Sequence, residues 1–254
     1  MRVDLITPPA VILQSRLAIS LAAIAGHVNI VALLTCGVVT SHMTGHAGAL
    51  GRDAAAGDGR ATFFMAVLLG AFLFGAFLSG LAVEFGRMRG WRAIYALPAA
   101  IELALLAAFA IGVDLHDPSQ TETGAGLWWM SAVAVVAMGA QNATVTRISS
   151  GIVRTTHLTG ILTDLGHESA QILLLRGPEG RPRRQPGVGG RRIALLALIA
   201  GAFILGSAVG ALCFAHQPKL SMIPPVVLLA FIIVQDFRTP MSEVERALGA
   251  HGGR

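Results

Sequence analysis

Ser41-His-Met-Thr-Gly-His-Ala-Gly-Ala-Leu-Gly51 and Thr156-His-Leu-Thr-Gly-Ile-Leu-Thr-Asp-Leu-Gly166 carry one pattern written twice, Ser/Thr-His-x-Thr-Gly-x4-Leu-Gly. Working outward, Gly26-x-x-Asn29 upstream of the first copy pairs with Gly139-x-x-Asn142 upstream of the second. Downstream, Gly70-Ala-Phe-Leu-Phe-Gly75 pairs with Gly201-Ala-Phe-Ile-Leu-Gly206, and Leu97-Pro98 pairs with Ile223-Pro224. Four correspondences in one order exceed what a biased composition produces, and they predict a duplicated unit.

The unit is a membrane unit. Of the 254 residues, 54% are hydrophobic and only 13% charged, with a mean hydropathy of +0.67, too apolar for a water-soluble globule. Runs long enough to cross a hydrocarbon core of about 30 Å occur near 17–40, 61–83, 94–113, 127–146, 193–215 and 220–237. The 30 glycines suit helices that approach closely in lipid, where small residues let backbones touch. Arg2 and Arg16 flank the start as in a signal peptide, but Pro8-Pro9 and the continuation of the run past Ala25 mark it as the first span.

The predicted fold is therefore an all-α membrane protein of about six transmembrane helices in two three-helix repeats, 1–126 and 127–254, with an Arg/Pro/Gly-rich linker at 176–192. Because three is odd, the second repeat enters the membrane from the opposite side, as in the inverted repeats of many secondary transporters. The basic residues agree. With the N-terminus inside, sixteen of nineteen Lys and Arg fall in cytoplasmic segments, and the segment holding Asp114, Asp117 and Glu122 has none. Both termini are expected in the cytoplasm, the first His-x-Thr-Gly outside and the second inside. A pI near 10.5 then reflects topology and contact with anionic lipid, with no nucleic acid expected as a partner.

Candidate ligand-binding residues follow from polarity in an apolar setting. His27 and Glu102 lie near mid-bilayer, where an unpartnered charge costs at least about 2.5 kcal/mol, and the two are expected to approach each other. Asn29 and Asn142 give each repeat one amide upstream of its motif. His42, Thr44 and Gly45, with His157, Thr159 and Gly160, are read as paired gates or one paired site, since a relaxed backbone at a helix end frees groups for a solute. The plain alternative for each copy is a helix C-cap and turn. Asp164 and Glu168 are assigned to a polar interfacial helix from Thr159 to Leu175. His42 and His46 stand four apart without a third ligand, so no metal is expected. Nor is a cofactor, for there is no P-loop, dinucleotide fingerprint or nucleophile elbow. Cys36 and Cys213 lie in apolar runs and read as packing residues. The Gly75 and Gly80 region and Gly206-x-x-x-Gly210 read as close-packing surfaces, within the bundle or in a homodimer.

With these residues in place, the chain resembles the YoaK-like family of small bacterial membrane proteins, a domain of unknown function, over nearly its whole length. The matching stretches are Ser41–Gly45, Gly139-Ala-Gln-Asn-Ala-Thr-Val-Thr-Arg147 and Arg154-Thr-Thr-His-Leu-Thr-Gly160 through Gly166. The resemblance implies a multi-pass protein of the bacterial inner membrane and brings no substrate or reaction. Relatives often carry an acid at the place of Asn29 and Asn at that of His46. The expected function is a transporter or permease for a small solute or ion and not an enzyme. The rival readings are a structural or sensing protein without transport, and an intramembrane enzyme using His42, His157 and Asp164.

Overall fold

The computed structural model describes residues 8–115, 125–148, 158–175 and 190–238. They form eight α-helices: α1 (Pro8–Cys36), α2 (Met43–Ala55), α3 (Gly59–Met88), α4 (Ala96–Leu115), α5 (Ala125–Ile148), α6 (Leu158–Leu175), α7 (Gly190–His216) and α8 (Ile223–Arg238), the last preceded by a 3-10 turn at Pro218–Leu220. Counted with its 3-10 turn, the last segment Pro218–Arg238 has 21 residues against 18 in α6, and the order long, short, long, long occurs twice. Pro98 and Pro224 each stand in the first turn of the third long helix of their half, where a missing N–H costs nothing.

Among the described residues, five segments are long and apolar enough to cross a membrane: Ser15–Cys36, Gly59–Met88, Ala96–Leu115, Arg192–His216 and Pro218–Arg238. Their outer faces carry bare apolar side chains; Leu73 is 71% exposed, Phe63 61% and Phe231 56%. Such a surface is stable only against lipid, and these five helices make the chain a membrane protein. The remaining long helix, α5, matches the expected run at 127–146 in position but is not among them. It packs against α1, α3 and α4, with Ala134, Ala137, Met138, Gln141 and Thr144 buried. A helix wrapped by protein keeps its polar residues because neighbours, rather than lipid, surround it.

The helix expected from Thr159 to Leu175 is present as α6, Leu158–Leu175. Its counterpart α2 was not expected, since the plain reading of the motif was a helix C-cap and turn, and three glycines in thirteen residues disfavour a helix. The His-x-Thr-Gly motif accordingly opens a helix rather than closing one: His42 is the N-cap residue of α2, and Thr159 and Gly160 lie in the first turn of α6. Gly37, with φ of 69°, ends α1 before the chain turns into this segment.

The most extensive contacts join α1 to α7 and α3 to α5, and the duplicated glycines make both. A methyl group at Gly26 would strike the Phe203 carbonyl, and one at Gly139 would strike the Phe72 carbonyl. Likewise Gly206 lies on the Ala23 carbonyl and Gly75 on the Val136 carbonyl. In the sequence correspondence Gly26 pairs with Gly139, Phe72 with Phe203 and Gly75 with Gly206, so one crossing is built twice from matched residues. Each pair runs parallel: Gly206 meets Ala23 and Gly210 meets His27 and Ile30, while Phe64 meets Trp128 and Ser79 bonds Thr144 at 2.8 Å. Gly206 and Gly210 thus pack inside the bundle. Gly80 has open space around it.

Candidate functional site

The first His-x-Thr-Gly segment is a folded corner. Asn29 Oδ1, on α1, accepts from Thr40 Oγ1 at 3.2 Å and from Ser41 N and Oγ, each at 3.4 Å. The upstream amide therefore ties down the start of the motif. His42 is exposed, and its ring occupies the space that a Cβ on Gly45 would take. His46 is buried and its Nε2 donates to the Val39 carbonyl at 2.9 Å. Burial lowers the His46 pKa from its ordinary 6.5, the Val39 bond opposes that, and the neighbouring His42 adds to the lowering. Thr44 is exposed.

Of the second copy, Thr159 is exposed, with its carbonyl accepting from Thr163 Oγ1 at 2.9 Å, and Gly160 is half-buried. His157 lies outside the described residues, as do Arg154 and most of the linker at 176–192. Asn142 is half-buried on α5, its carbonyl accepting from Thr146 Oγ1 at 2.7 Å. The residues that would match Thr40 and Ser41 are again outside the described set.

His27 and Glu102 belong to different levels of the bundle. His27 Nε2 donates to the Ser221 carbonyl at 2.6 Å, fastening α1 to the turn before α8. Glu102 instead shares a cavity with Ser20 and Leu21 of α1, six or seven residues before His27 and so about 10 Å lower along that helix. The cavity has a volume of ≈ 400 Å³. It runs from the exposed Arg16 and Arg238 to Glu102, between α1, α4, α5 and α8, and Tyr95 and Thr144 contribute to its lining.

Glu102 is 2% exposed, and its Oε1 has no hydrogen-bond partner among the described residues. Gln141, three residues before the cavity-lining Thr144 on α5, has its Nε2 committed to the Leu21 carbonyl at 2.6 Å. A buried acceptor without a donor loses its solvation and recovers nothing. Glu102 is thus the one candidate that combines burial, charge and a space beside it.

Asp53, and the pairing of its counterpart Glu168 with Arg192, escaped sequence reasoning. The repeat continues two residues past Leu-Gly, as Arg52-Asp53 and His167-Glu168, and both acids are buried on the short helices. Asp53 pairs with Arg52 at 2.7 Å; Glu168 pairs with Arg192 at 2.9 Å, with Asp164 on the same guanidinium at 3.6 Å. The extension of the alignment was the available signal. Glu84 likewise bonds Arg147, joining α3 to α5. Among the described residues no group of three or more His, Cys, Asp or Glu could hold a metal ion.

No curated protein and no solved structure matches the chain. A family model described as "Protein of unknown function (DUF1275)" matches residues 17–235, which takes in most of α1 and α8, the six helices between them, both motif segments and Glu102, and the chain belongs to that family.

Proposed function

We propose that the protein is a small-solute transporter of the bacterial inner membrane, with α5 as a sixth span and two inverted repeats, α1 to α4 and α5 to α8. The observation that carries this reading is the doubled crossing. The first helix of each repeat lies on the third helix of the other, through Gly26 on Phe203 and Gly139 on Phe72. Two rigid bodies, α1 with α7 and α3 with α5, then meet across a seam bounded by α4 and α8, which is where the Glu102 cavity lies. Rocking of one body against the other would open that seam to one face and then the other. The short helices α2 and α6, each opened by the same motif, sit at opposite ends of the bundle and act as paired gates. The arginine distribution supports cytoplasmic termini and a cavity facing the cytoplasm, since Arg16 and Arg238 stand at its shallow end.

The test is thermal stability of the purified protein in detergent against a library of small metabolites and cations, because a ligand of the folded state raises the midpoint. A hit must then accumulate in proteoliposomes. Binding lost in His42→Ala with His157→Ala, in a protein that still folds, supports the gates. Proteoliposomes that accumulate no hit refute transport.

A further inference from the structure

Within the transport reading, we infer that the cavity takes a small organic monocation with an apolar body, its ammonium group against Glu102. Three observations fix the chemistry. First, the deep end offers one carboxylate, nearly wholly buried, with one oxygen lacking a donor among the described residues. A cationic head supplies both the donor and the charge that such a group needs. Second, the walls between Glu102 and the shallow end include Leu21, Ala99 and Leu229, carbon surface that gains by covering a hydrocarbon chain. A volume of ≈ 400 Å³ suits a small molecule and exceeds what a dehydrated ion fills. Third, the opposite end holds Arg16 and Arg238 against the single carboxylate of Asp236, two positive charges to one negative, so a second positive charge on the solute would meet a net like charge there. Leu229 and Arg238 are nine residues apart on α8, roughly 13 Å along the helix. A six-carbon amine fits that depth.

Hexylammonium is the probe, titrated against the detergent-purified protein by calorimetry and by the unfolding midpoint. 1-Hexanol, hexanoate and 1,6-hexanediammonium serve as matched controls. Binding of hexylammonium at least tenfold tighter than any of the three, weakened at least tenfold in Glu102→Gln with unchanged far-UV dichroism, is the expected result. Ala99→Leu fills the cavity while keeping the carboxylate and should weaken binding as much, which keeps the test decisive if Glu102→Gln fails to fold. Equal binding of 1-hexanol, or hexylammonium binding indifferent to both substitutions, overturns the inference. Binding that meets these criteria without accumulation in proteoliposomes upholds the site and refutes transport; accumulation of another solute with no amine binding does the reverse.

Discussion

Adding one methyl group at Gly139 tests the doubled crossing most directly. The new Cβ would overlap the Phe72 carbonyl oxygen, with the Phe72 carbonyl carbon at 3.0 Å and its Cα at 3.1 Å. All three are backbone atoms of a helix, so no rotamer change relieves the overlap, and α5 must retreat from α3 by about 1 Å before van der Waals contact is restored. Overpacking of this kind costs about 1–3 kcal/mol, against which alanine's helix propensity returns at most about 1 kcal/mol. Gly26→Ala meets the Phe203 carbonyl in the same way, with that carbon at 2.9 Å, and should cost the same within about 1 kcal/mol. Gly70 and Gly201 belong to the same repeated stretches but have open space around them. Alanine there should be neutral or stabilising by up to about 1 kcal/mol. Unfolding of the four variants in mixed detergent micelles, followed by far-UV dichroism, separates the pairs. Wild-type stability in Gly26→Ala and Gly139→Ala, or equal losses in all four, refutes the reasoning.

Three further outcomes follow from single contacts. Because burial lowers the His46 pKa, the unfolded chain binds the proton more readily; stability is full above pH 6.5 and falls as the pH drops below it, and His46→Asn should flatten that slope in unfolding measured from pH 7.5 to 5. Arg192→Ala leaves the buried Glu168 without its 2.9 Å partner and should loosen α6 by about 1–3 kcal/mol, read as faster hydrogen exchange over 158–175; Glu168→Gln in the same chain should recover part of the loss. Gln141→Leu removes the 2.6 Å bond to the Leu21 carbonyl together with an amide oxygen that has no partner among the described residues, so the change in unfolding free energy should stay within about 1 kcal/mol.

Much of this was legible in the sequence, because lipid leaves few alternatives. Apolar runs placed the long helices to within about five residues, except that α1 begins nine residues before its run, and the polar run after Thr159 announced α6. The glycine pairs marked the crossings before their partners were known. Two things were not legible. The helix α2 is glycine-rich and lacks a helical propensity, and it forms because the turn after α1, pinned by Asn29 and His46, delivers the chain into it. The company that Glu102 keeps was misjudged, since axial depth alone set it beside His27. Which residues of α1 face the Glu102 cavity depends on how the helix is offset and turned within the bundle, and both are set by packing at Gly26 and Gly210, which hold α1 on α7. A single apolar sequence carries no direct record of that angle.

The crossing of α1 with α7 also bears on how the chain is made. Ser207 Oγ bonds the Gly26 carbonyl across 181 residues. At a synthesis rate of about 5–20 residues per second, the ribosome needs roughly 10–40 s to deliver the second partner after the first. During that interval α1 sits in the bilayer with the small-residue surface around Gly26 uncovered, open to any other small-residue helix. The first half therefore waits for the second, and its survival in that window belongs to the insertion machinery and the surrounding lipid.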